Sequence, residues 1–203
     1  MNQALIESIL FKAIKNHEKQ NFSEAEQLYE QALKIYPNHI GCLNYFGTML
    51  AQTNRKKRAE QLFLKANQLQ PNNPFVKNNL GNIYFEYQDY DKAISYYEAA
   101  ILLKPDFVDS NLNLGIILNN MGHLNKAIEH LNKVIKIQPN NTKCYSIIAA
   151  IYKEKRNFQK TLDIYKKIFE IDPENLMATT GIVDLFNTLR LKNLKENNSY
   201  DLV

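Results

Sequence analysis

PFVKNNLGNIYFEYQDYDKAISYYEAAILLKPDF, residues 74–107, is the stretch whose reading decides the fold. Leu80, Gly81 and Tyr84 belong to a first helix-like run, Gln88-Asp89 make a polar turn, and Ala93, Tyr97 and Ala100 belong to a second run that Pro105 closes. Proline ends a helix because it lacks an N–H and its ring clashes with the preceding turn. Working outward, Pro37, Pro71, Pro105, Pro139 and Pro173 each stand 34 residues apart, and they are five of the six prolines in the chain. A helix therefore stops once per 34-residue period, the signature of a repeat architecture.

With the proline set as position 32, the repeats are 6–39, 40–73, 74–107, 108–141 and 142–175, and a partial sixth begins at Leu176. Position 8 is always small: Ala13, Gly47, Gly81, Gly115, Ala149. Position 20 is Ala25, Ala59, Ala93, Ala127 and Thr161, and position 27 is Ala32, Ala66, Ala100, Val134 and Ile168. Position 24 is always large: Tyr29, Phe63, Tyr97, Leu131, Tyr165. Small residues let two helices approach closely, and the large one fills the space beside them. Each repeat is thus a helix of roughly 13 residues, a tight turn and a second helix, and helices that short need neighbours to be stable. The expected fold is all-α, an αα-hairpin solenoid of five repeats with a capping helix over 176–189. The expected domain is 1–189, followed by a polar tail, 190–203.

The 203 residues carry a net charge of +4, with acids and bases mixed along the chain, which argues against a nucleic-acid binder with one basic face. No run approaches the roughly 18 apolar residues of a membrane span, and the N-terminus lacks the basic start and apolar core of a secretory signal. Cys42 and Cys144 are read as reduced thiols of a cytoplasmic protein. Both fall at position 3, three repeats apart, too distant for a disulfide or a shared metal.

The small residue at 8, Ala at 20, the aromatic at 24, Ala at 27 and Pro at 32 together resemble the tetratricopeptide repeat, over about residues 6–189. The absence of Trp at position 4 and Lys12 in place of Leu at position 7 are departures. The resemblance implies a right-handed superhelix whose first helices line a concave groove through positions 2, 5, 6, 9, 12 and 13. That spacing alone puts them on one helical face.

In repeats three and four these positions hold Phe75, Asn78, Asn79, Asn82, Phe85, Glu86, Asp109, Leu112, Asn113, Ile116, Asn119 and Asn120. Six of the twelve are Asn, against 26 in the whole 203-residue chain. An Asn side chain both accepts and donates, so it can pair with the backbone of an extended peptide whatever that peptide's side chains are. Asn is also a mediocre helix former, so its clustering has a small cost. The bland alternative is that this chain uses Asn freely everywhere.

Asn79 and Asn113, at position 6, resemble the asparagine ladder in the repeats of O-linked N-acetylglucosamine transferase, although Phe11, Tyr45 and Ile147 interrupt the column. A carboxylate clamp, another mode of the family, is matched by Asn82, Asn113 and Lys143, but Asn78 and Ile147 stand where it needs Lys and Arg. Phe75 and Phe85 are the candidate apolar anchors.

His17, His39, His123 and His130 have no partner at metal-ligand spacing, and no nucleophile–base arrangement is visible; no cofactor is expected. Arg55-Lys56-Lys57-Arg58 is the one charge cluster, a solvated turn by default, with contact to an acidic partner or nucleic acid as the alternative. The expectation is a non-enzymatic scaffold that binds a protein or peptide partner. The other reading is a substrate-presenting accessory region of a glycosyl-, sulfo- or methyltransferase whose catalytic domain lies elsewhere. RNA binding is disfavoured by the lack of a basic groove.

Overall fold

The computed structural model describes residues 2–198, with side chains over 3–190. Among the described residues there are eleven helices and no strand. They are α1 (Asn2–Glu18), α2 (Phe22–Ile35), α3 (Ile40–Gln52), α4 (Lys56–Leu69), α5 (Pro74–Glu86), α6 (Tyr90–Leu103), α7 (Val108–Asn120), α8 (Leu124–Ile137), α9 (Thr142–Glu154), α10 (Phe158–Ile171) and α11 (Leu176–Asn198). From α2 onward, every second helix begins 34 residues after the last such start. The all-α hairpin-repeat fold expected from the prolines is the fold observed.

The helix ends follow from local chemistry. The second helices stop at Ile35, Leu69, Leu103, Ile137 and Ile171, each with one extended residue before its proline, the conformation that a following proline favours. The first helices α5 and α9 start on side-chain caps: Asn73 Oδ1 accepts from the amides of Phe75 and Val76, with Pro74 at the first helical position, and Asn141 accepts from Cys144. Within each hairpin the turn needs one left-handed residue. Gln20, Asn54, Gln88, Gly122 and Arg156 supply it, at φ 62°, 60°, 62°, 78° and 56°.

The chain divides into two compact units, one ending at Ser110 and one starting at Asn111. In the first, α1–α2, α3–α4 and α5–α6 pair as hairpins, α2 packs on α3 and α4 on α5, and the first helices also touch one another, α1 with α3 and α3 with α5. In the second, α8 packs on α9, α9 on α10 and α10 on α11.

Every residue at positions 20, 24 and 27 is buried. The small residue at 8 is required by contact: a Cβ on Gly47 would lie 2.6 Å from the Phe63 ring, one on Gly81 2.6 Å from the Tyr97 ring, and one on Gly115 2.9 Å from Cγ of Leu131.

The last helix runs to Asn198, beyond Leu189, where the sequence suggested its end. No proline follows Pro173 to stop it. Ala178 joins Tyr145, Ala149, Tyr165 and Ile168 in one buried cluster, while Thr180, Asp184 and Asn187 are exposed. Residues 199–203 of the expected polar tail lie outside the described residues.

Candidate functional site

In the first unit α1, α3 and α5 touch side by side, and each presents a row of side chains turned away from its hairpin partner. Phe11, Tyr45 and Phe75 are large apolar residues left exposed on this row, at 68%, 44% and 51%. The seam between α3 and α5 is polar. Asn79 Nδ2 donates to Asn44 Oδ1 at 2.9 Å and to Thr48 Oγ1 at 3.4 Å. The Thr48 hydroxyl is itself anchored by donating to the Asn44 carbonyl at 3.0 Å. Asn79 Oδ1 and Asn44 Nδ2, an acceptor and a donor on half-exposed side chains, have no partner among the described residues.

Not every asparagine expected to face a ligand does so. Asn78 is a correction: it is only 5% exposed, and its Oδ1 accepts from the buried Ser110 hydroxyl at 2.8 Å. A serine hydroxyl buried at the start of α7 needs an acceptor, and Asn78 supplies it. Asn82 is half-buried and accepts from the Tyr97 hydroxyl at 2.7 Å, so part of its capacity supports the core.

Phe75 stands edge-on to Phe107, with ring centres 5.3 Å apart, and Lys104 Nζ lies 5.2 Å from its ring. Phe85 is half-buried against Tyr90. In the second unit Asn113 and Asn119 are half-buried on α7, Asn120 is exposed at its end, and Lys143 is exposed on α9. The structure thus brings Phe75, Asn79, Asn82 and Phe85 onto α5, and adds Asn44, Tyr45 and Thr48 on α3.

A cleft of about 520 Å³ lies between the ends of α1 and α3, lined by Ile14, His17, Glu18, Tyr45, Thr48 and Gln52, with Gln20 and Phe22 of the turn. The sequence reading concentrated on repeats three and four and missed it. Tyr45, an aromatic at the groove-facing position 6, is the available signal.

Burial pushes the Cys42 thiol up to about 12 and the Cys144 thiol up to about 11, so both stay protonated and weakly nucleophilic at neutral pH. Among the described residues no group of three His, Cys, Asp or Glu side chains is placed to hold a metal. Likewise no described helix is long and apolar enough to cross a membrane. The charge cluster is largely paired within the chain: Arg55 and Arg58 with Glu26, Arg58 with Glu30, and Lys56 with Glu86.

Stacked helical hairpins with an open row of first helices define a repeat scaffold, whose framework serves protein–protein interaction. The chain belongs to the tetratricopeptide repeat family, whose models match residues 18–74, 74–107 and 108–141. No curated protein sequence matches it. Among solved structures it is similar to MamA, at 26% identity and a TM-score of 0.72, over 80% of this chain and 95% of that one. It is similar in fold to PilF of Pseudomonas aeruginosa, at 17% identity and a TM-score of 0.82, over 99% of this chain and 91% of that one. It is also similar in fold to YrrB, described as a TPR protein with an unusual peptide-binding site, at 20% identity and a TM-score of 0.70, over 89% and 96% of the two chains.

Proposed function

We propose that the chain is a peptide-binding module, in which the row of first helices α1, α3 and α5 holds an extended segment of a partner protein. The observation that carries this reading is the Asn44–Asn79 pair. Its inner hydrogen bond fixes both amides, and its outer atoms offer one acceptor and one donor. A peptide bond presents the matching N–H and C=O in any sequence, so the pair reads backbone and not side chain. Exposed Tyr45 and Phe75 flank the pair and give apolar area on which side chains of the segment can rest. The position-6 pattern that resembles the asparagine ladder supports the same reading, as does the peptide-binding site described for YrrB.

The test is selection from a random extended-peptide display library, followed by fluorescence anisotropy on enriched peptides. The Asn44→Ala/Asn79→Ala variant is expected to melt close to wild type and to bind about tenfold more weakly, the loss of two modest hydrogen bonds. Equal binding by wild type and variant would remove the pair from the site, and no enrichment by a folded chain would remove the peptide-binding function.

A further inference from the structure

Asn44 and Asn79 do not line the cleft between α1 and α3, which adjoins their seam through Tyr45 and Thr48. We propose that it is a side-chain pocket of the same groove, taking the cationic head of an arginine or lysine from the bound segment; this rests on the peptide-binding reading above. Glu18 supplies the one carboxylate of the lining, and no Lys or Arg lines it, although the chain as a whole carries a net charge of +4. Glu26, Glu30 and Glu86 of the same unit each hold a Lys or Arg. The Glu18 carboxylate forms no ion pair or hydrogen bond with any described side chain, and its electrostatic neighbour is the neutral Tyr29 phenol. An acid left without a cation at the mouth of a cleft is complementary to a cation from outside.

The rest of the lining suits a long stem with a charged tip. The Tyr45 ring is exposed on one wall and offers a face to a guanidinium or ammonium. Ile14 and Phe22 give apolar area for the methylenes. The floor is held in place by His17: its Nε2 lies 2.7 Å from Gln52 Oε1 and its Nδ1 3.3 Å from the Tyr29 hydroxyl, which ties α1 to α3 and to α2. Because a carbonyl oxygen only accepts, Nε2 is the donor to Gln52. An apolar side chain in the cleft would desolvate Glu18 without compensation, and an acidic one would be repelled by it.

The experiment is an NMR titration of the full chain, isotope-labelled, with capped pentapeptides Ac-Ala-Ala-Xaa-Ala-Ala-NH2, where Xaa is Arg, Lys, norleucine or Glu. Arg and Lys peptides are expected to move the Gln52 side-chain amide, norleucine and Glu peptides to leave it in place, and Glu18→Gln to weaken the Arg peptide about fivefold. Glu18 is exposed, so the variant is expected to melt as wild type does. An equal shift by norleucine, an unaltered Arg affinity in Glu18→Gln, or no shift with any Xaa overturns the assignment. The Asn44 and Asn79 side-chain amides report the backbone-reading pair and should move with every Xaa. Movement there without a cation-selective shift at Gln52 removes the cleft alone; stillness at both removes both readings.

Discussion

The Tyr97 hydroxyl, at the centre of the α5–α6 hairpin, donates a 2.7 Å hydrogen bond to Oδ1 of Asn82 on α5. A residue on the ligand-facing row therefore also serves a buried phenol of the core. Asn82→Ala and Tyr97→Phe are each expected to cost about 1 kcal/mol, the usual net worth of such a bond. The two residues touch, so the double variant should cost clearly less than the sum of the singles. Urea denaturation of the four proteins measures this, and strict additivity would mean that the two side chains act independently.

Close approach at position 8 gives the largest expected stability effect. A Cβ on Gly81 would sit 2.6 Å from the Tyr97 ring, which is fully buried. Gly81→Leu should therefore overpack the hairpin and cost about 3 kcal/mol or more. Gly122→Ala is the contrasting case, because nothing lies within 4 Å of its added Cβ and only the left-handed φ of 78° opposes it. That variant should lose about 1 kcal/mol. Thermal melts that rank the two in the opposite order would displace residue 81 from the seam.

The five-fold recurrence of the left-handed turn residue predicts a stabilising change. Gly and Asn take this conformation readily, but Gln88 holds it at φ 62° with a Cβ in the way. Gln88→Gly is expected to gain about 0.5 to 1 kcal/mol, strain relief being partly offset by the freer unfolded chain. A lower melting temperature for this variant would show that the Gln88 side chain contributes more than its strain costs.

These residues also show what the sequence could and could not disclose. The hairpins were legible because proline, small and aromatic columns each recur at 34 residues, and one physical requirement sets each column. The partners of the asparagines were not. Asn73 and Asn141 cap helices, Asn78 and Asn82 accept from buried or core hydroxyls, and Asn79 pairs with Asn44. All six are the same letter, and spacing does not tell which neighbour reaches each amide. The α1–α3 cleft escaped for a related reason. Its walls fall on the groove positions 6, 9, 12 and 13, but the residue type changes along each column, from Ile14 to Thr48 and from Glu18 to Gln52, so no recurring residue marks it.

The basic run Arg55–Arg58 is expected to act on stability. Partial burial alone would raise the Glu26 carboxyl, but the hydrogen bonds and charges of Arg55 and Arg58 outweigh it and leave the carboxyl below its ordinary 4.5. A depressed carboxylate stabilises the fold above its unfolded value, and that contribution is lost as pH falls through the folded one. Glu26→Gln should cost about 1 kcal/mol at pH 7 and low salt, and less in molar salt or at pH 3. A variant whose deficit ignores both salt and acid would assign Glu26 a packing role.

His130 makes the opposite kind of pH prediction. Burial first, and the nearby Lys133 second, hold its imidazole below the ordinary 6.5, against a smaller opposing pull from Glu129. Its Nδ1 lies 3.0 Å from Oδ1 of Asn111, a fully buried side chain. As pH falls through about 6.5 the unfolded chain takes up a proton that the folded chain refuses, so stability declines until the folded imidazole also titrates. Urea midpoints at pH 7.5 and 5.5 are expected to fall further for wild type than for His130→Gln. His17, His39 and His123 are common to both proteins, so the difference between the two slopes isolates His130. Coincident slopes would mean that it binds its proton equally well folded and unfolded, and that the α8 face carrying it is wetter than its packing against Asn111 implies.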